Sequence, residues 1–407
     1  MKAYLDILQQ VYENGHGKPD RTGVGTVSAF ASRFRHDLRD GFPLLTTKYV
    51  NPLSPLVEMF AFFRGATNLD EFHALKCKIW DRWALKQNFG NWVLKNHDEL
   101  SADVVEYEAS QGNAITLSEA SIMIDNCKNA HHNYHTDLRR ITENNALTDF
   151  ATAQQNITKW MAENPEPTSL IAWLTERDIN TYKYNVIYAK GYLGPIYGAQ
   201  WLGWKTPDGR TINQLEQVVN ELRTNPSSRR IVLLGWNPSD ISDGKKHMDE
   251  NNKVIHTSDD RIQANIMEGK MALPPCHLMT IFNVDLSGAI PVLNLHQIMR
   301  SSDLPIGLPF NIAGYAYFLS IVAHQLGYIA GELVIDSTDA HIYKDQLEFV
   351  PTQLAREPKR LPKLSLPIDL EIDITKPETL TLDLAKSIVD CFDDYDPHPH
   401  IPYPVAV

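Results

Sequence analysis

The stretch "MALPPCH" (271–277) places a cysteine between two prolines and a histidine, in a chain of 407 residues with only four cysteines. Four roles are open for Cys276: a buried apolar side chain, half of a Cys–His pair, a metal ligand, or a nucleophile that works without its neighbour. Residues 276–284 alternate as a β-strand does, and adjacent strand residues point to opposite faces of a sheet. We therefore expect that His277 is not the base for the thiol.

Four arginines lie in polar or glycine-rich segments that could approach this cysteine. Arg21 is in "DRTGVGT", Arg229 and Arg230 follow "NPSS", and Arg300 is in "MRSSD". Cations near a cysteine favour the thiolate, which is its reactive form. Guanidinium groups also bind phosphate through paired hydrogen bonds. Each arginine alone is equally well explained as a surface residue, but the set beside a thiol predicts a nucleoside monophosphate that is attacked by sulfur.

The elements that must position these residues show both helical and strand periodicity. The apolar pattern predicts a helix over 55–65 that ends at Gly65 and a buried helix over 311–327 that ends at Gly327. Alternating and β-branched segments predict strands. These segments are 27–38, 229–236, 276–284, 290–299 and 331–337. The fold class is therefore α/β (α+β), a mixed sheet flanked by helices.

Two segments differ in character from the rest of the chain. Residues 84–192 contain three stretches with polar helical faces, which predict a mostly helical insertion, and residues 239–270 are polar and charged and predict a surface excursion. Three histidines in the insertion invite comparison with a metal site: His131, His132 and His135. No cysteine or carboxylate joins them at a ligand spacing, so we interpret them as a solvated helix face and expect no metal.

Composition excludes several classes of protein. The net charge of −12 argues against binding to bulk nucleic acid, although a few arginines can still form a local anion site. The sequence has no run of 18 apolar residues, so we expect no membrane span. The first residues lack the apolar core of a secretory signal, and the cysteines are few and widely spaced. These features predict a cytoplasmic protein, in a host cytoplasm if a phage encodes it.

Longer motifs carry a resemblance to a known family. "DRTGVGT", "LLTTK", "IWDRW", "LGPIYGAQW", "SSRRIVLLGWNP", "ALPPCH", "RSSD…GLPFNIAGYA", "DAHIY" and "DYDPHPHIPYPVAV" occur in the order of thymidylate synthase motifs. The chain therefore resembles this family over roughly 1–83, 193–238 and 271–407. The resemblance implies a single catalytic domain over 1–407 that contains the helical insertion. It also implies an obligate homodimer in which two sheets pack back to back.

The resemblance implies a role for each matching residue. The reaction would be reductive methylation of dUMP to dTMP with 5,10-methylenetetrahydrofolate and no metal, through a covalent bond between Cys276 and C6 of the base. The catalytic residues would be Cys276, Glu58, Tyr197, His277 and Asn311. The substrate-binding residues would be Arg21, Arg300, Ser301, Asp303, Asn311, His341 and Tyr343, with Arg229 and Arg230 donated by the partner subunit. The folate-binding residues would be Trp80, Trp83, Asp303 and Val407.

Departures from the family pattern keep other functions open. Met299 stands where the family usually has Gln, and the segment between Cys276 and Arg300 is about four residues longer than usual. The related dUMP and dCMP hydroxymethylases form the same adduct but quench the methylene with water and release tetrahydrofolate. Asn311 favours uracil over cytosine, and Trp80 with the "PVAV" tail favours methylation. A third hypothesis is a non-catalytic nucleotide-binding or interaction module.

Overall fold

The computed structural model describes most of the chain outside the region 95–182. The described residues are 1–20, 22–94, 104–106, 108–109, 112–123, 155, 159, 163, 183–242 and 258–405, without the side chains of 90–94, 183–187 and 258–260. Backbone contacts divide the chain into two units. The first contains Met1–Trp83, Leu193–Asn265 and Gly269–Val407, and the second contains Ala84–Tyr192 and Ile266–Glu268.

The described residues form both α-helices and β-strands. The helices are α1 (Lys2–Asn14), α2 (Leu53–Phe63), α3 (Leu69–Ala74), α4 (Tyr197–Gly203), α5 (Gln214–Thr224), α6 (Ser258–Met267), α7 (Gly307–Leu326), α8 (Val350–Leu354) and α9 (Leu382–Val389). The strands are β1 (His16–Lys18), β2 (Thr26–Asp37), β3 (Phe89–Leu94), β4 (Lys183–Tyr188), β5 (Trp204–Lys205), β6 (Thr211–Ile212), β7 (Val232–Leu234), β8 (His277–Asp285), β9 (Val292–Asp303) and β10 (Ile329–Tyr343).

A six-stranded mixed sheet is the centre of the first unit. Its strand order is β1-β2-β10-β9-β8-β7. Strand β10 runs parallel to β9, and all the other neighbouring strands are antiparallel. The register places His341 of β10 opposite Asp303 of β9 and Ser28 of β2. The predicted mixed sheet flanked by helices is confirmed.

Helix α7 fills the core of the first unit. It packs against β9, β10 and α2, and its apolar side chains are almost all buried. It ends at Gly327, whose φ of 70° is left-handed, as the sequence predicts. It begins at Gly307, however, and not at residue 311 as the sequence predicts. Asn311 therefore lies within the first turns of the helix. Its amide Nδ2 is 3.0 Å from His277 Nε2.

Several strands differ in length from the sequence prediction. Strands β9 and β10 extend to Asp303 and Tyr343, because polar residues that break the apolar alternation remain hydrogen-bonded within the sheet. Ser302 and Ser337, for example, are both buried and share a hydrogen bond of 2.7 Å across these strands. The predicted strand over 229–236 is wrong at both ends, since β7 covers only Val232–Leu234.

The second unit contains a short antiparallel ladder that the sequence does not predict. Strand β3 pairs with β4, from Phe89 opposite Tyr188 to Leu94 opposite Lys183. Residues 117–123 are helical, as predicted. Most of the other predicted helical residues, and the three histidines, lie outside the described residues. The division of the chain into a catalytic domain with two insertions stays a prediction.

The polar segment 239–270 contains helix α6. Ile262 and Ile266 of this helix are buried and lie four residues apart. The segment is polar overall, but this helix therefore has an apolar face. Across the described ranges, no helix is both long and apolar enough to traverse a bilayer.

Candidate active site

Cys276 lies immediately before β8, and two neighbours hold its backbone. The buried Tyr197, the first residue of α4, accepts hydrogen bonds through Oη from the backbone N–H of Cys276 (2.9 Å) and of His277 (3.4 Å). The backbone N–H of Arg300 donates to the Cys276 carbonyl at 2.9 Å. Burial raises the pKa of Tyr197 far above its usual value. Tyr197 therefore remains a neutral phenol beside the half-buried cysteine.

Arg300 ties strand β9 to the loop that carries the cysteine. Its Nε donates to the Pro275 carbonyl at 2.9 Å and its Nη2 to the Pro274 carbonyl at 2.7 Å. Within the described ranges, its Nη1 has no hydrogen-bond partner. The guanidinium is planar and fixed by two bonds, so the remaining donors have a defined direction. Arg300 thus orients the loop and keeps hydrogen-bonding capacity for an anion.

Both ring nitrogens of His277 are engaged away from the thiol. Asn311 Nδ2 lies 3.0 Å from His277 Nε2, and Tyr315 Oη lies 2.9 Å from His277 Nδ1. Burial lowers the pKa of His277 to about 3, helped by the charge of Arg300. The ring is therefore neutral, with Nε2 accepting from Asn311 and Nδ1 donating to Tyr315. A neutral imidazole with both nitrogens occupied leaves none for a bond to the sulfur of Cys276.

Glu58 is the carboxyl group best suited to proton transfer. It projects from α2, and its Oε1 accepts a hydrogen bond of 2.9 Å from Trp80 Nε1. The side chain is half-buried, and burial raises its pKa to about 7 despite the opposing bond from Trp80. A group with this pKa exchanges protons readily near neutral pH. The rings of Trp80 and Trp83 pack edge to face with centroids 5.7 Å apart.

Asp303 faces a positively charged neighbour that the sequence analysis did not select. Burial raises the pKa of Asp303, while His341 and Lys48 oppose the shift. Lys48 is buried, its Nζ donates to the Pro305 carbonyl, and burial lowers its pKa to about 8. Its ammonium also lies 5.1 Å from the ring centre of Tyr403. Lys48 is the last residue of the motif "LLTTK". The motif could therefore have identified it as a site residue, whereas a lysine alone could not.

The last described residues are held against this side of the site. Gln346 Nε2 donates to the Pro404 carbonyl at 3.0 Å, and Tyr403 Oη donates to Gln353 Oε1 at 2.8 Å. Gln346 also accepts the backbone N–H of Tyr343 through Oε1 at 3.1 Å. One buried amide therefore links the end of β10 to the carboxyl-terminal segment.

The comparison with known proteins decides the family. The family model described as thymidylate synthase matches residues 2–407. The chain belongs to the thymidylate synthase family. Thymidylate synthases of Listeria monocytogenes serotype 4b (strain CLIP80459) and serotype 4a (strain HCC23) are each 31% identical to it over 408 residues. Each of these alignments covers all of both chains. The resemblance in the motifs therefore extends to the chain as a whole.

The thymidylate synthase motifs bring some of the predicted site residues together and leave others apart. Cys276, Tyr197, His277, Asn311 and Arg300 form one hydrogen-bonded cluster. Glu58 and Trp80 form a second pair, and Tyr197 packs against the Trp80 ring at 6.1 Å between centroids. Tyr315 joins the first cluster but was missed. Its spacing of four residues after Asn311 in a helix was the available signal, because such residues share a face.

Two predicted arginines of this thymidylate synthase family member do not join those hydrogen-bonded clusters. Arg229 and Arg230 are exposed in the turn before β7, and neither side chain has a hydrogen-bond or ion-pair partner within the described ranges. Arg21 and Val407 lie outside the described residues. Among the residues that are described, no group of three His, Cys, Asp or Glu side chains could hold a metal ion.

Proposed function

We infer that this protein catalyses the reductive methylation of dUMP to dTMP with 5,10-methylenetetrahydrofolate. The observation that carries this conclusion is the thymidylate synthase match over 2–407, with Cys276 fixed between Tyr197 and Arg300. The dUMP hydroxymethylase alternative is not favoured, since the matching model and relatives are thymidylate synthases. The non-catalytic alternative is not favoured for the same reason.

Cys276 starts the proposed reaction by adding its sulfur to C6 of the uracil. The electron pair of the C5–C6 bond moves toward the C4 carbonyl, which makes C5 nucleophilic. Donors placed at the developing enolate stabilise this state. Asn311 is suited to this role because His277 fixes its amide, and His277 itself is held by Tyr315. The neutral histidine thus positions the residue that contacts the base.

Glu58 and Tyr197 support the later removal of the proton from C5. A carboxyl group with a pKa of about 7 can accept and return a proton within one cycle. Tyr197 remains protonated and can relay a hydrogen bond through water between the thiol and the carboxyl group. Elimination of the Cys276 sulfur then restores the double bond of the base.

The residues on the folate side fit a flat, partly polar co-substrate. Trp83 is partly exposed and packs against the buried Trp80 ring, and Asp303 offers a carboxyl group next to the carboxyl-terminal segment. Methylenetetrahydrofolate supplies the one-carbon unit and the hydride when it is bound. We propose that Trp80, Trp83, Asp303 and Val407 hold it and exclude water from the reaction.

The sugar of dUMP is assigned to residues on β10, and its phosphate to residues on β9 together with Arg21. Arg21, Arg300 and Ser301 bind the phosphate in this proposal, and His341 and Tyr343 bind the deoxyribose hydroxyl. His341 and Tyr343 are adjacent on one strand face, with ring centroids 5.1 Å apart. Two further guanidiniums, Arg229 and Arg230, reach the phosphate of the partner subunit.

A homodimer is supported by the open face of the sheet. Phe30 on β2 is 80% exposed, which is unusual for a large apolar side chain in the middle of a strand. Pairing two such faces would bury this exposed apolar side chain. We also propose a cytoplasmic location, because the cysteines are few and widely spaced.

Product analysis tests the proposed reaction. The enzyme is incubated with dUMP and methylenetetrahydrofolate, and both products are identified by mass spectrometry. We expect dTMP with dihydrofolate in equal amounts, because hydride transfer oxidises the folate. Hydroxymethyl-dUMP with tetrahydrofolate would show instead that water captures the methylene, and absence of either product would support a non-catalytic module.

The amide of Asn311 gives a prediction on base selectivity. Asn311→Asp replaces a donor with an acceptor, so the side chain can accept from the exocyclic amine of cytosine. We expect the ratio of kcat/KM for dCMP to that for dUMP to rise by roughly 10²-fold, as mismatched buried polar groups discriminate strongly. Tritium release from C5-labelled dCMP and dUMP measures both values. An unchanged ratio would mean that Asn311 does not contact the edge of the base.

A further inference from the structure

His341 is a nearly buried imidazole with one nitrogen engaged and one available. Its side chain is 10% exposed. Nδ1 lies 3.3 Å from the carbonyl oxygen of Asp339, 3.3 Å from Oδ1 of the same residue, and 3.4 Å from Ser301 Oγ. Within the described ranges, Nε2 has no hydrogen-bond partner. On a ring that is otherwise nearly buried, this nitrogen is available to a ligand.

Asp339 is the acidic partner of this imidazole. Its Oδ2 pairs with Lys18 of β1, while its Oδ1 is buried and has no bond of conventional geometry. The contact with His341, followed by that with Lys18, lowers the pKa of Asp339 to about 2 against the effect of burial. The carboxylate is therefore charged at neutral pH. Its distance of 3.3 Å to His341 is long for a strong bond, which is common before a ligand completes a site.

The backbone carbonyl oxygen and the Oδ1 atom of Asp339 determine which nitrogen of His341 carries hydrogen. A carboxylate and a backbone carbonyl only accept hydrogen bonds, so Nδ1 must be the donor. A neutral imidazole with hydrogen on Nδ1 has its lone pair on Nε2. The available nitrogen is then an acceptor with a fixed direction, suited to a hydroxyl donor.

We propose that Asp339 is a positioning residue that orients His341, through Nδ1, so that Nε2 accepts the 3′-hydroxyl of the deoxyribose. The inference rests on the proposed contact of His341 with the sugar. It adds a residue to substrate selection that contacts no substrate atom itself. Its energetic effect is therefore limited to ligands that carry the 3′-hydroxyl.

Asp336 provides a matched control three residues earlier on β10. It also pairs with a cation and a histidine: Arg33 at 2.7 Å and His296 at 2.8 Å. Its side chain is 29% exposed, against 25% for Asp339. Asp336→Asn thus removes a similar charge from the same strand without touching His341.

The test compares dUMP with 2′,3′-dideoxyuridine monophosphate, which lacks the 3′-hydroxyl. Dissociation constants of both nucleotides are measured by calorimetry without folate, for the unaltered protein and for Asp339→Asn, Asp336→Asn and His341→Ala. We expect Asp339→Asn to weaken dUMP binding about tenfold, the scale of a charge-assisted hydrogen bond, and to change dideoxynucleotide binding less than about twofold. Asp336→Asn should change neither constant by more than about twofold.

Equal weakening of both nucleotides by Asp339→Asn, or weakening of neither, would overturn the proposal. Thermal unfolding of each variant checks the fold, and Asp339→Ala serves as a second variant if the asparagine destabilises the strand. Loss of both nucleotides to the same extent in His341→Ala would contradict the sugar contact itself. If His341→Ala weakens dUMP binding more than dideoxynucleotide binding and neither Asp339 variant does so, the contact of His341 with the sugar is supported. The positioning role of Asp339 is then overturned.

Discussion

Cys276→Ser should lower the rate of tritium release from dUMP labelled at C5 by at least about 10⁴-fold, the scale seen when a nucleophile is removed. A serine hydroxyl is a much weaker nucleophile than a thiol at neutral pH. Exchange at C5 requires prior attack at C6, so the assay reports the first covalent step. Binding of dUMP should remain within about threefold, because the backbone N–H that bonds to Tyr197 is retained.

Cys391→Ser is the matched control for this experiment. Cys391 is also half-buried, and its Sγ donates to the Ser387 carbonyl at 3.1 Å, which a serine hydroxyl reproduces. We expect its turnover to equal that of the unaltered protein. Near-normal tritium release from Cys276→Ser would mean that another group attacks the base, and the assignment of the nucleophile would fail.

Glu58→Gln should lower kcat by about 10² to 10⁴-fold, the range for a lost acid–base group. Glutamine has nearly the same shape, and its Oε1 can still accept the hydrogen bond from Trp80 Nε1. What is lost is the ability to gain and release a proton. The ionisation near pH 7 should also disappear from the dependence of kcat on pH, since it belongs to this carboxyl group.

The same substitution should stabilise the folded protein at neutral and alkaline pH. The pKa of Glu58 is raised from 4.5 to about 7, so the folded state holds a proton that the unfolded state releases. The free energy of unfolding therefore falls as pH rises through this window. Glu58→Gln removes this pH-dependent loss. Above pH 7 we expect the free energy of unfolding of the variant to exceed that of the unaltered protein by about 2 kcal/mol, a value discounted for the part of the side chain that solvent reaches.

Urea unfolding at several pH values measures this gain. At pH 4 the variant and the unaltered protein should unfold at the same urea concentration, because Glu58 is then protonated in both states. Glu348→Gln, a change at an exposed carboxyl group, should show neither the kinetic loss nor the gain in stability. A stability difference that does not grow between pH 4 and pH 8 would contradict the raised pKa.

Much of the fold follows from local sequence patterns. The apolar period over 311–327 and the glycine after it predict α7, and both are observed because burial and a left-handed cap act locally. The argument that strand alternation separates Cys276 from His277 relies on the same local geometry. It agrees with a structure in which the imidazole bonds to α7 on the interior of the sheet.

The residues that were missed depend on long-range contacts. Lys48 is buried against Pro305 and Tyr403, partners more than 250 residues away, so no local pattern marks it as buried. The carboxyl-terminal ends of β9 and β10 carry the polar residues of the proposed nucleotide site. These residues interrupt the alternation of apolar and polar positions, so in the sequence they resemble the end of a strand. Arg300 itself was predicted, but its bonds to Pro275 and Pro274 were not, because these partners lie 25 and 26 residues earlier in the chain.

Because His277 stays neutral, the selectivity of the enzyme for uracil and its turnover rate should respond differently to pH. With a pKa of about 3, this ring and its bonds to Asn311 and Tyr315 do not change when a cell acidifies. Glu58, by contrast, titrates within the physiological range. In the proposed mechanism, acid stress would therefore alter how fast the thymidine nucleotide pool is filled, while the choice of uracil over cytosine would stay the same. Such an enzyme would change the amount of dTMP that it makes without changing which base it methylates.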